Sequence, residues 1–118
     1  PRGIRPMLAV MSAAKAKEML FTGRRYSAAE ALAMGVANAV VPAAELEAAT
    51  RKVAEEMAIN APLSIRAAKE SIDELFAHPE NPDLARLDHF VEACFESEDY
   101  AEGRRAFMEK RKPQFRGR

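Results

Sequence analysis

Apolar residues recur at helical spacing along most of this chain. Leu46, Ala49, Val53 and Met57 follow one another at steps of three and four, which draws one apolar stripe along a helix over "AAELEAATRKVAEEMAIN". Leu63, Ala67, Ile72 and Leu75 mark the inward face of the next helix, "PLSIRAAKESIDELF", with Pro62 in its first turn. After "AHPENPD", a loop by its two prolines and asparagine, Leu84, Leu87, Phe90, Val91, Cys94 and Phe95 set the inward face of "DLARLDHFVEACFES". Ser97 caps a last helix, "EDYAEGRRAFMEKRK", which Pro113 ends.

The first third reads similarly. Ser12 caps "AAKAKEMLF", and Gly23 takes the left-handed position that closes it. Ser27 and Glu30 form a capping box that opens "AAEALAM", which Gly35 stops. No element is assigned before Ser12. Only "VANAVVP" alternates as a strand does, so a short edge strand is expected over 36–41, with no partner strand in the chain. The expected fold class is therefore mainly α with one short edge strand.

Composition narrows the options. At 118 residues the chain is one domain's worth of sequence, and 48% apolar with 31% charged residues is a globular balance. Basic and acidic residues cancel at 18 each, so no overall field draws nucleic acid or a membrane. One cysteine, Cys94, excludes an internal disulfide and fits a reducing compartment, and two histidines are too few for a metal cluster. No apolar run approaches the ~20 residues of a membrane span. The expectations are a cytoplasmic protein with no bound metal, no nucleic acid and no membrane. The chain opens on Pro1 rather than methionine, as if taken from something longer.

Catalytic candidates are few. Glu55, Glu56, Glu70, Glu74, Glu96, Glu98 and Glu102 stand beside basic residues on helices, as solvated faces do. His89 fits an ordinary helix position, and Cys94, between Val91 and Phe95, fits a buried, inert one. No serine lies in a G-x-S-x-G setting, and there is no glycine-rich phosphate loop. The basic end of the chain differs. Phe107 and Lys110 are three apart, hence on one face if the helix continues, and an aromatic ring with a flexible cation can hold a purine and its phosphate. The competing reading places Phe107 in the core and leaves Lys110 solvated.

In order, these segments resemble the carboxy-terminal half of the crotonase family, the enoyl-CoA hydratases and isomerases. "AKEMLFTGRRYSAAEALAMGVANAVVP" is similar to that family's helix, its "L-x-T-G-x-x-x-x-A-x-x-A" turn and its "G-L-V-N-x-V-V-P". "EGRRAFMEKRKPQFRGR" is similar to its closing "E-G-x-x-A-F-x-E-K-R-x-P-x-F". The resemblance implies a spiral of strand-strand-helix units followed by a helical trimerisation region, with 1–42 ending the spiral and 43–118 forming the helical part. It implies an acyl-CoA substrate, most directly a 2-enoyl-CoA to be hydrated, a homo-oligomer (a trimer or a dimer of trimers), and no cofactor beyond the coenzyme A of the substrate. The family's oxyanion hole and catalytic glutamates would lie upstream, so no catalytic residue is assigned and the chain alone is expected to be inactive. The phenylalanine and first lysine of "A-F-x-E-K-R", here Phe107 and Lys110, would reach coenzyme A.

One departure matters. Many hydratases follow the glycine at the position of Gly3 with "P-G-x-G-G", where this chain has Arg5-Pro6-Met7, so hydration, isomerisation and other crotonase reactions stay open. Two further readings stand beside the enzyme: a non-catalytic helical oligomerisation module, and a nucleic-acid-binding basic tail, which would lose affinity steeply with salt.

Overall fold

The structure, a computed structural model, describes residues 3–118. Helix α1 spans Ile4–Val10, α2 Ala13–Thr22 and α3 Ala28–Ala33; a 3₁₀ turn at Ala43–Glu45 leads into α4, Leu46–Ala58. Helices α5 (Pro62–Ala77), α6 (Leu84–Phe95) and α7 (Glu98–Met108) complete the order. The chain divides into two compact units, Pro1–Ala49 and Thr50–Arg118, with the division inside α4.

In the first unit the local signals act as expected. The Ser12 hydroxyl accepts from the Lys15 backbone N–H, and Gly23 ends α2 at φ 59°. Ser27 and Glu30 complete a capping box at α3. Helix α1 is unanticipated: Pro6 stands third in its first turn, where the missing N–H would have no partner within the helix anyway. Arg24 stacks 3.7 Å over the Tyr26 ring and pairs with Glu18 and Glu30, tying the link between α2 and α3 to both helices.

The expected strand over 36–41 is not formed; among the described residues there is no strand. The backbone N–H groups of Val36 and Ala37 both turn back to the Ala31 carbonyl, at 2.9 and 3.2 Å, and close α3 with Gly35 at φ 77°. A β-ladder needs a neighbouring strand to accept its hydrogen bonds, and the alternation of valines does not supply one.

In the second unit, α5 and α6 form an antiparallel helical hairpin. Arg86, early in α6, reaches Glu70 and Glu74 late in α5, while Arg66, early in α5, lies 5.1 Å over the Phe90 ring. The 78–83 loop is fastened by Glu74, whose Oε1 accepts the Asp83 backbone N–H at 2.9 Å and lies 3.0 Å from His78 Nδ1. That backbone N–H, more than Arg86, holds the Glu74 carboxyl below the usual range. Pro62 takes the first turn of α5, and Ser97 caps α7 by accepting the Tyr100 N–H.

Helical periodicity does not translate into burial. Leu46, Val53 and Met57 of the α4 stripe are exposed, as are Ile72 and Leu75 of α5 and Leu84, Val91 and Phe95 of α6. Among the described residues the buried apolar ones are Ala16, Ala67, Leu87 and Ala106. Amphipathic faces this open are what helices present when they cover, or are covered by, another surface.

Candidate functional site

The basic end of the chain is an ordered structure, built by two carboxylates on α7. Asp99 is 3% exposed; its Oδ1 accepts the Arg116 N–H at 2.6 Å and its Oδ2 the Gly117 N–H at 2.7 Å. The Asp99 N–H in turn donates to the Arg118 carbonyl. One turn on, Glu102 receives the Arg111 guanidinium through both oxygens, at 2.6 and 2.9 Å, and the Gln114 N–H at 3.0 Å. Arg111 first, then the Gln114 N–H, holds the Glu102 carboxyl down to about 2, and Glu102 raises the Arg111 guanidinium in return. The Arg111 Nε also donates to Glu109 at 2.6 Å.

These contacts fold the segment after Met108 back along α7, which is why the helix ends there and does not continue to Pro113. The Phe115 ring lies over Gly103, where a Cβ would rest 3.5 Å from it in ordinary contact. Ala106, 1% exposed, lies beneath. The closing motif is therefore mostly self-referential, since Glu102, Gly103, Ala106, Glu109, Arg111 and Phe115 are occupied with one another or with the core.

Phe107 and Lys110 take no part in that clasp. Phe107 is 82% exposed, which overturns the reading that puts it in the core. Lys110 is exposed too, but not by continuing a helical face as the spacing suggests. It lies beyond the helix at φ 52°, the only positive φ of a non-glycine residue among the described residues. A side chain in that region costs about 1–2 kcal/mol, so something must hold it there. Its N–H donates to the Phe107 carbonyl at 3.2 Å and the next, that of Arg111, to the Ala106 carbonyl at 3.0 Å, so the reversal keeps Lys110 close behind the exposed ring. No ion pair engages the Lys110 ammonium among the described residues.

Beside Phe107 runs an apolar groove of about 480 Å³, lined among others by Leu63, Phe95, Tyr100, Gly103 and Phe115. Phe95 and Tyr100 meet edge to face in it, 5.1 Å between centroids. Cys94 also lines the groove; it is half-buried rather than buried, and its thiol donates to the Phe90 carbonyl. His89 is exposed on α6. Among the described residues no group of three or more histidine, cysteine or acidic side chains could hold a metal ion, and no helix is long and apolar enough to cross a membrane.

An aromatic face open to solvent, followed by an unpaired ammonium on a braced turn, can stack a planar ring and attract an anion beside it. Helix spacing alone misplaces Lys110; the signal that could have found the turn is the acidic pair Asp99 and Glu102 facing a short basic segment that ends in Gly117-Arg118.

Known proteins share this arrangement of helices. The enoyl-CoA hydratase/isomerase family model matches residues 5–118. Methylmalonyl-CoA decarboxylase of Escherichia coli (strain K12) is 44% identical over 103 residues, covering 86% of this chain and 40% of that protein. Carnitinyl-CoA dehydratase of Proteus mirabilis (strain HI4320) is 41% identical over 109 residues with the same coverage. Among solved structures, an enoyl-CoA hydratase/isomerase family protein from Hyphomonas neptunium matches with a TM-score of 0.88 at 33% identity, over 100% of this chain and 45% of that one. Enoyl-CoA hydratase from Bacillus anthracis matches with a TM-score of 0.80 at 34% identity, over 98% and 45%. The chain spans about two fifths of the length of the curated relatives it matches. Over nearly all of its own length, it belongs to the enoyl-CoA hydratase/isomerase family.

Proposed function

We propose that this chain is the carboxy-terminal part of an enzyme acting on acyl-CoA thioesters, that the reaction is hydration of a 2-enoyl-CoA, and that the chain supplies one wall of the coenzyme A site. One observation carries the reading: the clasp at the end of α7 engages its own motif residues and leaves Phe107 and Lys110 free to meet a ligand. The ring would stack on adenine and the ammonium would pair with a phosphate. No cofactor beyond the substrate's own coenzyme A is required. The chain contributes binding and no catalytic residue, so it does not turn over substrate alone.

The relatives' names share a CoA thioester but differ in reaction, one a decarboxylase and the other a dehydratase. A panel of 2-enoyl-CoA, methylmalonyl-CoA and carnitinyl-CoA, given to the protein isolated from its source, therefore separates the possibilities. Hydration of the 2-enoyl-CoA supports the reading. Turnover of methylmalonyl-CoA alone replaces the reaction while keeping the substrate class. No turnover and no CoA binding favour a non-catalytic helical module.

The exposed α4 stripe of Leu46, Val53 and Met57 supports a second element, assembly into a homo-oligomer, with a trimer as the proposed state. Sedimentation velocity tests it: Val53→Asp should lower the mass of the assembly, and a monomeric parent protein would reject it. Lone Cys94 fits a reducing compartment, and the cytoplasm is the proposed location.

A further inference from the structure

We infer that Glu102 is a positioning residue for coenzyme A: through Arg111 it holds the turn that presents Lys110 beside Phe107. This rests on the proposed coenzyme A reading of those two residues. The Lys110 backbone is in the left-handed region, which lysine does not favour by itself. Glu102 grips the next residue, Arg111, through both carboxylate oxygens, at 2.6 and 2.9 Å, and takes the Gln114 N–H as well.

A two-pronged bond to a planar guanidinium fixes orientation as well as distance, which a lysine at the same place could not do. Glu109 also accepts from the Arg111 Nε at 2.6 Å, so two carboxylates hold the guanidinium. The Arg111 N–H on the Ala106 carbonyl and the Lys110 N–H on the Phe107 carbonyl close α7 in a Schellman turn with Lys110 at its left-handed position. The grip of Glu102 on the Arg111 side chain holds that turn closed at a residue that does not favour it. Glu102 itself is 18% exposed at the side chain and occupied by these partners, so its action on a ligand is indirect. Affinity gained this way is preorganisation: the turn is ordered before the ligand arrives.

A double-mutant cycle on CoA affinity tests the inference. We expect Glu102→Gln and Lys110→Ala each to weaken CoA binding about tenfold, and the double variant to bind no more weakly than Lys110→Ala alone, because Glu102 acts through Lys110. Arg111→Lys, which keeps the charge but not the two-pronged bond, should match Glu102→Gln and carries the same cycle if Glu102→Gln does not fold. Effects that multiply in the double variant overturn the inference, as does a Glu102→Gln protein that binds CoA normally while Lys110→Ala does not. If the unsubstituted protein fails to bind CoA, or Lys110→Ala leaves its affinity unchanged, the underlying coenzyme A reading fails and takes this inference with it.

Discussion

Asp99 accepts the backbone N–H of Gly117, eighteen residues further along the chain, at 2.7 Å. Together with the bond from Arg116, this pins the last residues of the chain to the start of α7. Replacing a buried carboxylate that satisfies two N–H groups leaves both without a partner. Asp99→Ala should cost about 2–4 kcal/mol in urea unfolding. It should also open the chain to trypsin after Arg111 and Arg116, read by mass spectrometry of early digestion products. Unchanged stability and an uncut tail would contradict the docking.

Acid should loosen this region and, separately, the start of α3. The Glu102 and Glu30 carboxyls titrate at about 2 in the folded chain, against an ordinary 4.5. A carboxyl whose folded value is depressed contributes stability that is fully present above the unfolded value and is lost as pH falls through the folded one. The urea midpoint should therefore be steady from neutrality to about pH 5 and fall between about pH 4.5 and 2. Glu102→Gln should make that fall shallower, and an equally steep fall in the variant would count against the assignment.

One substitution should act in opposite directions at two glycines. Gly103 lies inside α7 with a regular backbone, and an added Cβ would rest 3.5 Å from the Phe115 ring, an ordinary contact. Gly103→Ala should be neutral or stabilise by up to about 1 kcal/mol. Gly35 is at φ 77°, and a Cβ there would approach the Val10 carbonyl oxygen at 3.3 Å. Gly35→Ala should destabilise by about 1–2 kcal/mol. Urea unfolding of the two variants side by side reads both signs.

The features legible in the sequence are those whose causes are local. Ser12, Ser27, Ser97 and Pro62 start helices because their groups act on backbone within three residues, and Gly23 and Gly35 end helices by their own dihedral freedom. The unformed strand over 36–41 and the overlong last helix share the opposite origin. Val36 to Val41 have the residues of a strand, but a ladder depends on a neighbour outside the pattern. "EKRK" is a sequence of good helix formers, and it leaves α7 because Glu102 draws Arg111 back and Asp99 holds the backbone of Arg116 and Gly117. The stripe over Leu46, Val53 and Met57 has helical periodicity and α4 forms, yet periodicity does not say what covers a face. A motif singles out Phe107 and Lys110; the turn that joins them is closed by backbone bonds to Phe107 and Ala106, with Glu102 drawing Arg111 back, and helical spacing does not contain it.

The central claim is that the end of α7 is a coenzyme A wall, and calorimetric titration of CoA against the protein and its Phe107→Ala variant tests it most directly. Stacking on an aromatic ring contributes about 1–3 kcal/mol per base. The expected result is a loss of roughly fivefold to a hundredfold in CoA affinity, with an unaltered unfolding midpoint because Phe107 is 82% exposed. Equal CoA affinity in the two proteins would contradict it.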